Sequence, residues 1–232
     1  MSPTSQSQLE GVQDTFHLYT YYRSSCSARL RIALNLKGIT PTKTFINLIG
    51  NAQNGPDYTS VNPSHSVPTL VITKPSGQTT KITQSISALE YLEEAYPHLA
   101  PLLPKDVDAR ATARTLAQII ASDVQPVTNL RILVRIGELG GDRLAYAKEM
   151  MTAGLKAYEA IAKESAGKYS VGDEVSLADV CLVPAVWGAE RFGVDFSELP
   201  TLKAVYDRVS ALPEVQKAHW NRQEDTPAEL RG

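Results

Sequence analysis

Around residues 97–104 the pattern of this 232-residue chain changes once and does not change back. Pro97, Pro101 and Pro104 stand within eight residues. No helix interior or central strand tolerates such a density, because proline lacks an N–H and fixes φ. The run reads as a stiff connector and a boundary. Before it, strand and helix signals alternate; after it, almost every apolar pattern has the helical period. A chain of this length can bury one large core or two modest ones, and the break favours two. The sequence thus predicts an α/β domain over 15–97, a linker over 98–104 and an all-α domain over 105–232.

Within the first half, Phe16–Thr20 reads as a strand, and Thr42–Leu48 as a second with alternating apolar positions. Residues 50–62 are polar and turn-rich, a loop with a short irregular helix. Val67–Ile72 and Thr79–Ile82 form a hairpin across Pro75-Ser76-Gly77. Ser85–Tyr96 closes the half as a helix, with Ile86, Leu89, Tyr91, Leu92 and Ala95 facing inward. The order β-α-β-(α)-β-β-α predicts a small mixed sheet with helices on its faces. In the second half, Asp106 to about Ile136 forms one helical pattern that Pro126 should kink. Asp142–Glu164 follows. Ser176-Leu177-Ala178-Asp179 then opens an apolar helix with a capping box in which Asp replaces the usual Glu or Gln. Pro200–Leu212 and Glu214–Trp220 supply two shorter helices.

Charge and cysteine usage narrow the function class. A net charge of −2 gives no electrostatic case for nucleic acid or an anionic membrane. The two cysteines, Cys26 and Cys181, are far apart and form no disulfide framework or metal-ligand cluster, which suits a reducing compartment. No apolar run approaches the roughly 20 residues that span a bilayer. Residues 1–14 are polar and read as a disordered tail rather than a leader.

The chemistry concentrates in Ser24-Ser25-Cys26-Ser27-Ala28-Arg29-Leu30-Arg31-Ile32-Ala33-Leu34. Cys26, Leu30, Ala33 and Leu34 share one helical stripe, and Gly38 sits where a left-handed cap ends the helix. One serine suffices to cap a helix; here four hydroxyl or thiol side chains stand in a row. A helix start offers unpaired N–H groups and partial positive charge, so the cluster is suited to an anion. Plain capping is the other reading of the same residues.

The order of elements and motifs resembles the cytosolic glutathione transferases over about residues 16–225. Val67-Pro68-Thr69 is similar to the family's cis-proline turn, Gln84-Ser85 to its γ-glutamyl-binding pair, and Ser176-x-x-Asp179 to its helix-capping box. The start Ser24-Ser25-Cys26-Ser27-x-Arg29-x-Arg31 resembles the zeta class, the maleylacetoacetate isomerases. Asn47-Leu48, Asn62-Pro63, Gly172-Asp173-Glu174-Val175, Ala189-Glu190-Arg191-Phe192 and Thr226-Pro227-x-Glu229-Leu230-Arg231 do so too. The resemblance implies an α/β thioredoxin-like N-terminal domain followed by an all-α helical bundle, with glutathione as cofactor. It implies Ser24 as the hydroxyl donor to the glutathione thiol, with Ser25 and Cys26 in support. Ser27, Ala28, Arg29, Gln53, Val67, Pro68, Gln84, Ser85, Gln125 and Asn129 are implied as cofactor-binding. Gln125 and Asn129 lie one helical turn apart, so both can face one cleft. Arg191 is implied as the holder of a substrate carboxylate, for which a guanidinium fork is suited.

A thiol with an ordinary pKa of about 8.5 is mostly protonated at neutral pH, and a hydroxyl donor at a helix start favours the nucleophilic thiolate. The implied reaction is glutathione-dependent cis–trans isomerisation of maleylacetoacetate to fumarylacetoacetate, with side transferase activity on small α-halo acids. Two other readings stand beside it. One is a non-catalytic, partner-binding member of the fold, since fold alone does not set function. The other is glutaredoxin-like thiol exchange through Cys26, which has no resolving cysteine in the motif. The resemblance further implies a cytoplasmic homodimer.

Overall fold

The computed structural model describes residues 13–232. Most of the tail expected over 1–14 therefore lies outside the described residues. Asp14 does not: its carboxylate takes hydrogen bonds from Lys74 Nζ at 2.7 Å and Tyr96 Oη at 2.5 Å. The chain forms two compact units, one of residues up to Pro101 together with Pro213–Gly232, the other Leu102–Leu212.

The first unit is built on a four-stranded sheet of order β2-β1-β3-β4, where β1 is Thr15–Thr20, β2 Thr42–Phe45, β3 Thr69–Thr73 and β4 Thr79–Ile82. β1 and β2 run parallel, and the other pairs are antiparallel. β2 is shorter than its apolar alternation suggests. Past Phe45 the chain keeps one tie, Ile46 N–H to Thr20 O at 2.8 Å, and then turns away. β3 starts at Thr69, two residues later than expected, because Pro68 has no N–H to give a ladder.

Helix α1 (Ser25–Leu36) joins β1 to β2, α2 (Pro56–Thr59) is the short helix of the loop, and α3 (Ser85–Ala95) follows β4. Gly38 takes φ +73° just past α1, the left-handed conformation expected of it. On α3 the buried stripe is Ser85, Ala88, Leu89 and Leu92. Of the other positions expected to face inward, Ala95 is exposed, which contradicts the expectation, and Ile86 and Tyr91 are half-buried. The stripe is rotated because the small Ser85 and Ala88 let α3 lie against α1. The core joins Leu18, Leu70 and Ile72 of the sheet to Leu30, Ile32 and Leu34 of α1 and Leu89 and Leu92 of α3.

The proline-rich connector is anchored rather than free. Lys37, fully buried, pairs with Glu93 at 2.6 Å and donates to the carbonyl of Ala100 at 3.1 Å, while Leu99 is buried. Residues 213–232 follow the helical half in sequence but pack with the first unit. Helix α10 (Pro213–Ala218) lies along α1, where Asn35 Nδ2 donates to Glu214 O at 2.8 Å.

In the second unit, the single helix expected from Asp106 to Ile136 is broken. It runs as α4 (Val107–Gln118), a π-helical segment Ile119–Val124, α5 (Gln125–Thr128) and α6 (Leu130–Glu138). Pro126 falls in the first turn of α5, where its missing N–H is tolerated, and the wider turn before it absorbs the change of register. Helix α7 (Arg143–Ser165) packs on that segment. A Cβ at Gly154 would sit 2.1 Å from Val124 Cγ2, so glycine is required for the approach.

Helix α8 (Leu177–Arg191) is almost wholly buried. The capping box forms as expected: Asp179 accepts from Ser176 N at 2.8 Å and from Ser170 N at 2.9 Å. Helix α9 (Pro200–Ser210) has no cap of its own. Glu159 of α7, 3% exposed, accepts from Leu202 N at 2.7 Å and Thr201 N at 3.2 Å instead.

Candidate active site

Ser24 is the residue that turns β1 into α1. Its backbone is extended, its N–H donates to Tyr21 O at 3.1 Å, and its Oγ accepts from Ser27 N at 3.1 Å. That bond consumes an oxygen lone pair and leaves the hydroxyl hydrogen to donate elsewhere. Ser24, Ser25 and Cys26 are half-buried at the helix start, and Cys26 is a free thiol. Ser27 and Ala28 are buried beneath them.

Arg29 is 2% exposed, an unusual place for a guanidinium. Its Nη1 donates to Ser85 Oγ at 3.1 Å, so it ties the first turn of α1 to the first turn of α3. Its Nε and Nη2, and the Ser27 hydroxyl, are buried without hydrogen-bond partners. Buried donors left open carry a large desolvation cost, and a buried cation calls for an anion. The first turn of α3 supplies more. Gln84 occupies the N-cap position with an exposed side chain that makes no capping bond, and Ser85 is buried. Gln84 thus leaves the N–H groups of that turn uncapped, so plain capping does not account for the pair.

Val67 and Pro68 are joined by a cis peptide bond, as the motif implies. Val67 precedes the ladder, whose first pair on β3 is Thr69 with Tyr19. Two residues that sequence reasoning did not assign to the site hold this edge. Tyr58 Oη donates to Ser66 O at 2.6 Å and lies 3.1 Å from Thr69 Oγ1, and Asn62 Nδ2 donates to Ser66 O at 2.7 Å. Burial pushes the Tyr58 phenol up, which keeps it a donor. Tyr58 carries no local signal, whereas Asn62 belongs to the Asn62-Pro63 motif. Gln53 lies in the 3-10 turn Ala52–Asn54. Its Nε2 donates to Asn51 Oδ1 at 3.2 Å, and its Oε1 is buried without a partner.

The structure therefore gathers Ser24, Ser25, Cys26, Ser27, Ala28, Arg29, Val67, Pro68, Gln84 and Ser85 around the β1–α1 turn, the start of β3 and the start of α3. Gln125, Asn129 and Arg191 belong to the second unit. Gln125 and Asn129 do not share a helix face, although their spacing of one helical turn suggests it. Asn129 has extended backbone and caps α6, accepting from Ile132 N at 3.1 Å and donating to Pro126 O at 2.7 Å. Gln125 is half-buried on α5. Arg191 is the exposed last residue of α8, with its guanidinium 5.2 Å from the Phe192 ring centre. Cys181 is fully buried in α8.

The open donors suit glutathione, a tripeptide with two carboxylates, a backbone that can pair with a strand edge and a thiol. Comparison with known proteins agrees. Family models described as the N-terminal and C-terminal domains of glutathione S-transferase match residues 23–95 and 129–213. The maleylacetoacetate isomerase of Aspergillus fumigatus is 53% identical over 217 residues, 92% of this chain and 94% of that protein. A crystal structure of maleylacetoacetate isomerase from Anaeromyxobacter dehalogenans, with glutathione bound in its active site, aligns with a TM-score of 0.84. It is 37% identical and covers 92% of this chain and 99% of its own. A bacterial maleylpyruvate isomerase described as a zeta-class glutathione S-transferase also aligns at 0.84, with 36% identity over 91% of this chain and all of its own. Among the described residues, no helix is long and apolar enough to cross a membrane.

Proposed function

As the chain belongs to the glutathione S-transferase family, among its maleylacetoacetate isomerases, we propose that it converts maleylacetoacetate to fumarylacetoacetate with glutathione as cofactor. The observation that carries this reading is the set of open donors beside Ser24: a hydroxyl with a spare hydrogen, a buried guanidinium with two unpartnered nitrogens and an uncapped helix start. When bound, glutathione supplies the nucleophilic sulfur for reversible addition across the cis double bond, which can then rotate before the sulfur is expelled. Every other task falls to the chain.

Ser24 donates its hydroxyl hydrogen to the sulfur and holds it as thiolate, aided by the N-terminus of α1. Ser25 and Cys26 line the same turn. Arg29, Gln84 and Ser85 receive the glutamyl carboxylate, the backbone of Val67 takes the cysteinyl residue, and Gln53 takes the glycine end. Gln125 and Asn129 are assigned to the cofactor on family resemblance, and Arg191 to a carboxylate of the substrate. On this assignment most cofactor contacts come from the first unit, and the helical unit adds Gln125 and Asn129 for the cofactor and Arg191 for the substrate. A cytoplasmic homodimer, and transfer of glutathione to small α-halo acids, complete the reading; sedimentation velocity checks the copy number.

The deciding assay is spectrophotometric turnover of maleylacetone with and without glutathione. Turnover that depends on glutathione, with the cofactor recovered unchanged, is expected. Turnover without glutathione, or none with it, overturns the reading.

A further inference from the structure

The turn that carries Ser24 is not held by the sheet. β1 ends at Thr20, and the next two peptide groups leave the ladder. Two side chains bind Tyr21 O, Tyr22 N and Tyr22 O, and one of them lies some 200 residues further along the chain. Tyr22 N–H donates to Asp225 Oδ2 at 2.8 Å. Arg31 donates from Nη1 to Tyr21 O at 3.2 Å and to Thr20 Oγ1 at 3.2 Å, and from Nη2 to Tyr22 O at 3.0 Å. Its Nε donates to Ala218 O at 3.2 Å, so the same guanidinium grips the end of α10, from which the C-terminal segment departs, as well as the turn.

The contact continues through side chains. The Arg23 guanidinium lies over the rings of Tyr22 and Trp220, at 5.6 and 5.3 Å from their centres. Trp220 and Leu230 pack on a cluster of Tyr21, Tyr22, Ile46, Tyr58 and Val67, which underlies both the Ser24 turn and the Val67 edge. The segment is in turn stiffened from within, since Arg231 donates to Thr226 O at 2.9 Å and to Glu224 O at 2.9 Å. The Thr226-Pro227-x-Glu229-Leu230-Arg231 motif, which has no part in the chemistry above, thus has a physical task.

We propose that Asp225, carried by the C-terminal segment 219–231, is a positioning residue that, with Arg31, sets the Ser24 hydroxyl by fixing the peptide groups of Tyr21 and Tyr22. Asp225 does not touch the cofactor; it acts through the Tyr22 N–H. Its arrangement is poorly suited to a purely stabilising role. Burial holds its carboxyl above the usual carboxylate range despite the opposing pull of Arg31, and its Oδ1 is buried without a hydrogen-bond partner. An ionised carboxyl with a raised pKa costs the folded state stability, a cost that its bond to the Tyr22 N–H helps to offset.

The proposal rests on the assignment of Ser24 above, and the experiment separates the two. Turnover of maleylacetone, KM for glutathione and the ultraviolet titration of the bound thiol are measured for Asp225→Ala, Asp225→Asn and Ser24→Ala. Asp225→Asn keeps an oxygen acceptor for Tyr22 N–H and should stay close to the parent. Asp225→Ala should lower kcat by about ten- to a hundredfold, the scale of a small misplacement of a catalytic group. The bound thiol should then titrate at higher pH, with KM for glutathione little changed. Should Asp225→Ala fail to fold, Asp225→Glu, whose longer arm displaces the acceptor while keeping its charge, takes its place. Loss of activity that follows only the folded fraction, with the thiol titration unmoved, overturns the proposal. So does a parent-like Asp225→Ala beside an impaired Ser24→Ala. A parent-like Ser24→Ala removes the Ser24 assignment and the proposal with it.

Discussion

Ser24 Oγ accepts from Ser27 N at 3.1 Å, and the hydroxyl still has a hydrogen to give. If that hydrogen holds the cofactor sulfur as thiolate, Ser24→Ala should lower kcat by about 10²-fold, the usual loss for one donor to a developing charge. KM for glutathione should move little, because the carboxylates carry most of the binding. Steady-state kinetics decide it, and unchanged turnover assigns the role to Ser25 or Cys26. Cys26 is half-buried in the same first turn of α1 and has no second thiol near it in sequence. Cys26→Ala should therefore keep isomerase activity, since the reacting sulfur belongs to the cofactor. Abolished activity, with a protein–glutathione mixed disulfide by mass spectrometry in the parent, would favour thiol exchange. The hydroxyl row was legible from residue types alone. The open donors of Arg29 were not, because they depend on where Ser85, 56 positions away, comes to lie.

Among the elements, α8 shows how much a local signal can carry. Asp179 lies three residues from the cap Ser176, so the box closes within one turn whatever the rest of the chain does. In the fold the same carboxylate also takes Ser170 N at 2.9 Å, and it is fully buried. Asp179→Ala should destabilise the chain by roughly 2–4 kcal/mol, the sum of a lost cap and a buried N–H left unpaired. Urea unfolding measures this, and turnover per folded molecule should be unchanged. A loss below about 0.5 kcal/mol would mean that the cap is dispensable. The α4–α6 region is the opposite case. Pro126 announced an interruption, but the π-helical segment before it ends at Val124, which packs against Gly154 of α7, a contact no local pattern encodes.

For the molecule as a whole, the assignments place most cofactor contacts on the first unit and substrate recognition on the helical unit. Arg191 ends α8 in the helical unit, and removing one partner of a charge-assisted pair costs about 1.5–3 kcal/mol. Arg191→Ala should therefore raise KM for the dicarboxylate substrate by roughly ten- to a hundredfold. KM for glutathione should stay put, and an electrophile without a carboxylate should be turned over as before. Equal loss for both substrates would show that Arg191 supports the fold instead.

The two-part architecture, the succession of strands and helices in the first half, the capping box at Ser176 and the Ser24 cluster all follow from the chain read alone. Each depends on neighbours within a few residues, where periodicity, proline geometry and capping chemistry act. Tertiary structure decided what distant residues do to one another. It rotated the buried stripe of α3, capped α9 with Glu159 from another helix and turned Asn129 into the cap of α6. It also returned residues 213–232 to the first unit, where Asp225 meets Tyr22. A buried polar group must find a partner wherever the fold brings one within reach, and sequence distance has no part in that choice.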